Sequence, residues 1–109
     1  MALKGPFPID EVGSRVEPGY MGVYVLSRDG NSASYVGRSD SDLQQRILRT
    51  ASEGDYAAFW YDYSSSPMDG YKYECELYHK YDPPDNQVHP AVPPYANWRC
   101  PVAGCPWSY

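Results

Sequence analysis

From Tyr20 to Ser27 the chain runs Tyr-Met-Gly-Val-Tyr-Val-Leu-Ser, an apolar stretch rich in aromatic and β-branched side chains, which predicts a strand. Arg28-Asp29-Gly30-Asn31-Ser32 interrupts it with turn chemistry, Asp-Gly being the strongest short signal there. Ala33 to Arg38 then returns as an antiparallel partner, so the two stretches predict a hairpin. After Arg38 the period changes. Leu43, Ile47 and Thr50 recur at helical spacing, with Ser41 and Gln44 in the form of a capping box, Asp42 in the first turn and Gly54 as the stop. Ala57 to Tyr63 predicts a third strand. Ser66 followed by Pro67 marks the N-cap and first position of a second helix, which Asp82-Pro83-Pro84 ends after Tyr81.

The flanks lack such patterns. Residues 1–19, with Pro6, Pro8, Pro18 and three glycines, read as an irregular N-terminal arm, and from 87 to 109 prolines again dominate. The predicted fold is therefore α/β of the α+β type. A small three-stranded antiparallel sheet is flanked by helices in the order β-β-α-β-α, with a core over 20–86 and an irregular, proline-rich C-terminal tail packing on or extending it. A chain of 109 residues has room for one modest core. No apolar run is long enough for a membrane helix or resembles a signal peptide, and three cysteines cannot complete a disulfide framework; a cytoplasmic, reducing setting is the expectation.

Charge bears on partners. The net charge of −5 works against nucleic-acid affinity, which comes largely from cations on phosphates. The cations are nevertheless concentrated, with Arg28, Arg38, Arg46 and Arg49 all between the end of the first strand and the first long helix. Arg46 borders the apolar face of that helix, so its head is expected either in a cleft or snorkelling to solvent. Glu74 shares a helix face with Leu77, Tyr78 and Tyr81, whereas Glu76 faces elsewhere. A carboxylate on the core side requires a metal or a cation, and Arg46 is the obvious candidate for an ion pair.

The order of these residues resembles the GIY-YIG endonuclease family. Gly22-Val23-Tyr24 stands for its first motif and Tyr35-Val36-Gly37, followed by Arg38, for its second; Arg46 and Glu74 follow. The run from Glu74 through Tyr81-Asp82-Pro83-Pro84 to Asn86 is similar, without a gap, to the catalytic domain of the excision-repair nuclease subunit. The loop Ser39-Asp40-Ser41-Asp42 places Arg46 one residue further along than in that form. The resemblance implies a DNA nuclease in which Glu74 holds one Mg2+ or Mn2+. Arg46, assisted by Arg38, stabilises the transition state, and Tyr24 or Tyr35, its pKa depressed by nearby cations, is the general base. Gly37 and Asn86 would be structural, and a partner protein could supply DNA affinity. The competing expectation is a catalytically silent module of the same fold that binds nucleic acid or protein.

The tail adds a second chemistry. Cys100 and Cys105, separated by Pro-Val-Ala-Gly, have a spacing that suits a knuckle turn, and with His89 they are candidate zinc ligands; the alternative, which the missing fourth ligand favours, is free thiols in a loose structural loop. The fourth would be Cys75, His79 or an acidic residue such as Asp85. Tyr95, Trp98, Trp107 and Tyr109 either stack on bases or cover the core.

Overall fold

The computed structural model describes residues 3–108; Met1, Ala2 and Tyr109 lie outside them. The elements are β1 (Lys4–Pro8), a 3-10 turn (Ile9–Glu11), α1 (Val12–Arg15), β2 (Gly22–Ser27), β3 (Tyr35–Ser39), α2 (Leu43–Ser52), β4 (Ala58–Tyr63), α3 (Pro67–Tyr81) and a final 3-10 turn (Pro106–Ser108). The strands form one antiparallel sheet in the order β1-β4-β2-β3. The α+β class is as expected, but the sheet has four strands, not three.

The extra strand comes from the segment expected to be an irregular arm. Pro6 and Pro8 cannot donate to a ladder, but β1 is an edge strand, where that loss is tolerated. Its register against β4 shifts between Lys4 and Phe7, and the Phe7 ring packs on Phe59 with centroids 5.7 Å apart. A side-chain contact thus compensates for a poor ladder.

β2 lies between β3 and β4, and all six of its residues are buried. Tyr24 and Leu26 face one side, packing with Phe59, Tyr61, Val12, Val16, Leu43 and Ile47. Val23 and Val25 face the other, with Val36 and Leu77 of α3. Helices therefore cover both faces of the sheet. Each fully buried aliphatic side chain in these layers contributes about 2 kcal/mol relative to exposure. Gln44 Nε2 donates to the Gly13 and Val16 carbonyls at 3.2 and 2.7 Å, tying α2 to the N-terminal segment.

The local signals mostly locate the elements. Asp29 Oδ1 accepts the Asn31 and Ser32 amides at 2.8 and 2.9 Å, closing the loop between β2 and β3. Ser66 caps α3 by accepting the Asp69 amide, with Pro67 directly behind it. The cap of α2 is Asp42, which accepts the Gln45 amide, and not Ser41. The reason is the preceding turn: Ser39 Oγ takes the amides of both Ser41 and Asp42, which shifts the helix start one residue along.

Candidate active site

The cleft of interest lies at β3, the free edge of the sheet. Along an edge strand alternate side chains point to opposite faces. Tyr35 packs with the α2-side cluster, and Val36 with the α3-side cluster. Tyr24, Tyr35, Arg38, Arg46, Glu74 and Asn86 all line one cavity of about 400 Å³ that wraps this edge. Residues from β2, β3, α2, α3 and the segment after α3 therefore meet at one place.

Gly37 makes that meeting sterically feasible. It pairs directly with Tyr24 across the β2–β3 ladder. A Cβ at Gly37 would lie 2.5 Å from both Cζ and the hydroxyl oxygen of Tyr24, so only glycine lets the phenol lie across the strand. Gly22, the glycine of the first motif, is as constrained: a Cβ there would collide with the Asp62 carbonyl and approach Leu43 Cδ2 to 2.9 Å. Asn86 completes the edge. Its Oδ1 accepts the Val36 amide at 2.8 Å and its Nδ2 donates to the Val36 carbonyl at 2.9 Å, so the side chain acts as one rung of a missing strand. The Asp85 amide extends this by donating to the Ser34 carbonyl at 2.9 Å.

Glu74 is buried beside the cavity, and its partner is Arg38. The Arg38 Nη1 donates to Glu74 Oε1 at 2.7 Å and its Nε to Asp40 Oδ1 at 3.0 Å, with the side chains of Arg38 and Glu74 only 11% and 10% exposed. The expected alternative, an ion pair between Glu74 and Arg46, is not formed. Arg46 is on the exposed side of α2, and its Nη1 donates instead to the Arg38 carbonyl at 3.2 Å. The physical reason is position: Arg38 projects from β3 toward α3, while α2 lies on the opposite face. Burial pushes the Glu74 carboxyl up to about 6, against the pull of the Arg38 guanidinium. Among the described residues, Glu74 Oε2 has no hydrogen bond, which leaves an oxygen available to a cation.

The two tyrosines differ. Tyr24 is 1% exposed and its hydroxyl shares a 2.9 Å hydrogen bond with Thr50. Tyr35 is half-buried, its ring centroid 6.1 Å from that of Tyr24. Burial raises both phenols above the ordinary tyrosine value, outweighing the Thr50 hydrogen bond at Tyr24 and the pull of Arg46 on both, and the Glu74 charge adds to the rise at each. The depressed tyrosine pKa expected from neighbouring arginines is thus not produced by these protein groups. Arg38, whose positive charge was to contribute, is already committed to two carboxylates.

The other arginines divide in the same way. Arg28 pairs with Asp85 at 2.6 Å. Arg46 and Arg49, both exposed on α2, form no ion pair among the described residues and line two shallow hollows next to the main cavity. Asp40 is the site residue that sequence reasoning overlooked. Its signal was available, since it sits two positions after Arg38 at the end of a strand, on the same side.

Residues from the tail form a second cluster. His79, His89, Cys100 and Cys105 each bring one ligand atom to within 4.8 Å of the others. His79 is the fourth member; Cys75 is buried nearby against Tyr71 and Cys100, and Asp85 is occupied by Arg28 and Tyr56. Trp107 stacks on His89 and Trp98 packs on Tyr71, so these two cover other side chains, while Tyr95 is 78% exposed. Set against protein-family models, curated proteins and solved structures, the chain matches none of them.

Proposed function

We propose that the protein is a divalent-metal-dependent phosphodiesterase of the GIY-YIG type that nicks DNA. The observation that carries this reading is the convergence of Tyr24, Tyr35, Arg38, Arg46 and Glu74 on one cleft of about 400 Å³. A buried carboxylate with a spare oxygen suits Mg2+ or Mn2+, which keep several waters and need only one or two protein carboxylates; Asp40 borders the same cleft. Bound at Glu74, the ion would polarise the phosphate, stabilise the leaving oxygen and lower the nearby tyrosine pKa values.

The chain's own residues supply the rest. Arg46, with no carboxylate partner among the described residues, meets the phosphoryl oxygens and stabilises charge as it builds there. Arg38 holds the Glu74 carboxylate by one oxygen and so fixes where the other lies. Tyr35 orients the attacking water and takes its proton, because Tyr24 is buried with its hydroxyl bound to Thr50. Arg46 and Arg49 provide a small phosphate-contacting surface, and a partner protein adds the affinity that a net charge of −5 withholds. A second metal, zinc, fits the four tail donors and takes no part in this chemistry.

The test compares wild type with Glu74→Gln on supercoiled plasmid, branched DNA and matched RNA, with and without Mg2+ or Mn2+. Metal-dependent nicking of DNA by wild type, reduced by about 100-fold or more in the variant, is expected. Equal cleavage by both, or none by wild type on any substrate, refutes it. Binding without cleavage would assign the fold to a catalytically silent module, the reading that the acidic charge favours.

A further inference from the structure

Between Asn86 and the final 3-10 turn the chain contains no strand or α-helix, yet it is held closely to α3. Cys100 and Cys105 are buried with Tyr71 and Cys75, and Val92, Trp98 and Val102 pack around them. At the rim of this cluster lie His79 from the last turn of α3, His89, Cys100 and Cys105. We propose that these four side chains bind a structural zinc ion and that this ion braces one wall of the Glu74 cleft.

The donor set is the first argument. Two thiolates and two imidazoles make up a closed tetrahedral zinc site, with bonds of about 2.3 Å to sulfur and about 2.0 Å to nitrogen, which puts ligand atoms roughly 3.3–3.8 Å apart. Cys105 Sγ and His89 Nε2 are 3.4 Å apart, and the whole set falls within 4.8 Å, a distance that small side-chain rotations close. The surrounding hydrogen bonds are the second argument. His89 Nδ1 lies 3.0 Å from the Pro90 carbonyl; a proton there leaves Nε2, the atom facing Cys105, as the lone-pair donor. Such outer bonds orient metal-binding histidines. The Trp107 amide points at Cys105 Sγ at 3.5 Å, and the Cys100 amide donates to the Trp107 carbonyl at 2.8 Å, so the two cysteines and the final turn are held together. Gly104 supplies the positive φ of 86° that lets the chain between the two cysteines turn back.

The link to the cleft follows from chain geometry. His89, Pro90 and Ala91 line the same cavity as Glu74 and Arg38. This wall has no ladder of its own. Its near end is fixed by the two Asn86 bonds to Val36, and its far end by His89, the buried Pro90 and Val92 packed on the cysteine cluster, with no backbone ladder between. A metal joining His89 to α3 through His79 and to the knuckle through both cysteines would clamp that end. All four positions are filled by protein, so the ion is structural and offers no opening to substrate.

The test uses the full chain purified without chelator from zinc-supplemented medium, with metal content measured alongside the spectrum of the cobalt-substituted protein. One zinc per chain and the visible bands of tetrahedral thiolate-bound cobalt are expected in wild type and in Cys75→Ser. Both should be lost in Cys105→Ser and weakened in His79→Ala. Hydrogen exchange follows the wall: stripping zinc from wild type should speed exchange over 87–91 while β2 and β4 stay protected. A folded wild type that takes up no stoichiometric zinc, or a Cys75→Ser variant that loses it, overturns the ligand assignment. Unchanged exchange over 87–91 after zinc removal overturns the brace. None of these readouts depends on DNA cleavage, so failure of the nuclease reading leaves them intact.

Discussion

Replacing Glu74 by glutamine should make the protein relatively more stable as pH rises. The substitution keeps the shape of the side chain and an oxygen to accept from Arg38 Nη1, and it removes the charge. In the folded protein burial raises the Glu74 carboxyl from 4.5 to about 6. The folded state therefore binds this proton more tightly than the unfolded chain does. The group contributes its stability below about 4.5, while protonated, and loses it as pH climbs through about 6. At 1.36 kcal/mol per unit the loss comes to about 2 kcal/mol, the net cost of an ionised Glu74 that Arg38 only partly offsets. Urea unfolding of both proteins in magnesium-free buffer, from about pH 4 to about pH 7.5, reads this group together with Asp40, which shares Arg38, because carboxylates away from that cluster cancel in the difference. The variant should gain about 2 kcal/mol on wild type across that range, on the order of 10 °C in Tm. Adding Mg2+ should then stabilise wild type and leave the variant unmoved. A difference that is flat with pH, or one in which the variant loses ground as pH rises, would show that the Arg38 ion pair outweighs desolvation and would refute the reasoning.

Two further substitutions probe the edge strand. Gly37→Ala places a methyl 2.5 Å from the Tyr24 hydroxyl, so Tyr24 must leave its bond to Thr50; thermal unfolding should show a loss of about 1–3 kcal/mol, and an unchanged Tm would disprove the contact. Asn86→Ala removes both bonds to the Val36 backbone, with an expected loss of about 1–3 kcal/mol and faster amide exchange at Val36. Exchange at Val36 as slow as in wild type would show that the edge is held by something else.

What could be read along the chain was local. The loop after β2 is closed by Asp29 onto amides two and three residues away, and α3 starts at Ser66 because its hydroxyl and Pro67 act within one turn. Even there the reach of local signals is short: Ser41 has the right form for the cap of α2, yet a neighbouring hydroxyl, Ser39, takes its amide and gives the cap to Asp42. The order Tyr24, Tyr35, Arg46, Glu74 was equally legible, since it needs only spacing. Which of these side chains touch was not.

Tertiary structure decided the pairings. β1 exists because Phe7 finds Phe59, far along the chain, and no periodicity around Pro6 and Pro8 announces that contact. Arg38 takes Glu74 because β3 and α3 share a face of the sheet that α2 does not, which leaves Arg46 to donate to the Arg38 carbonyl. His79 joins His89, Cys100 and Cys105 only once the tail folds back over the end of α3. By itself the sequence determined the hairpin, the two long helices and the residue types available for chemistry, since capping, turns and amphipathic spacing act within a few residues. The fourth strand, the partner of the buried carboxylate and the fourth member of the His–Cys cluster waited on chain closure, because each is a contact between residues whose separation in sequence carries no information about their separation in space.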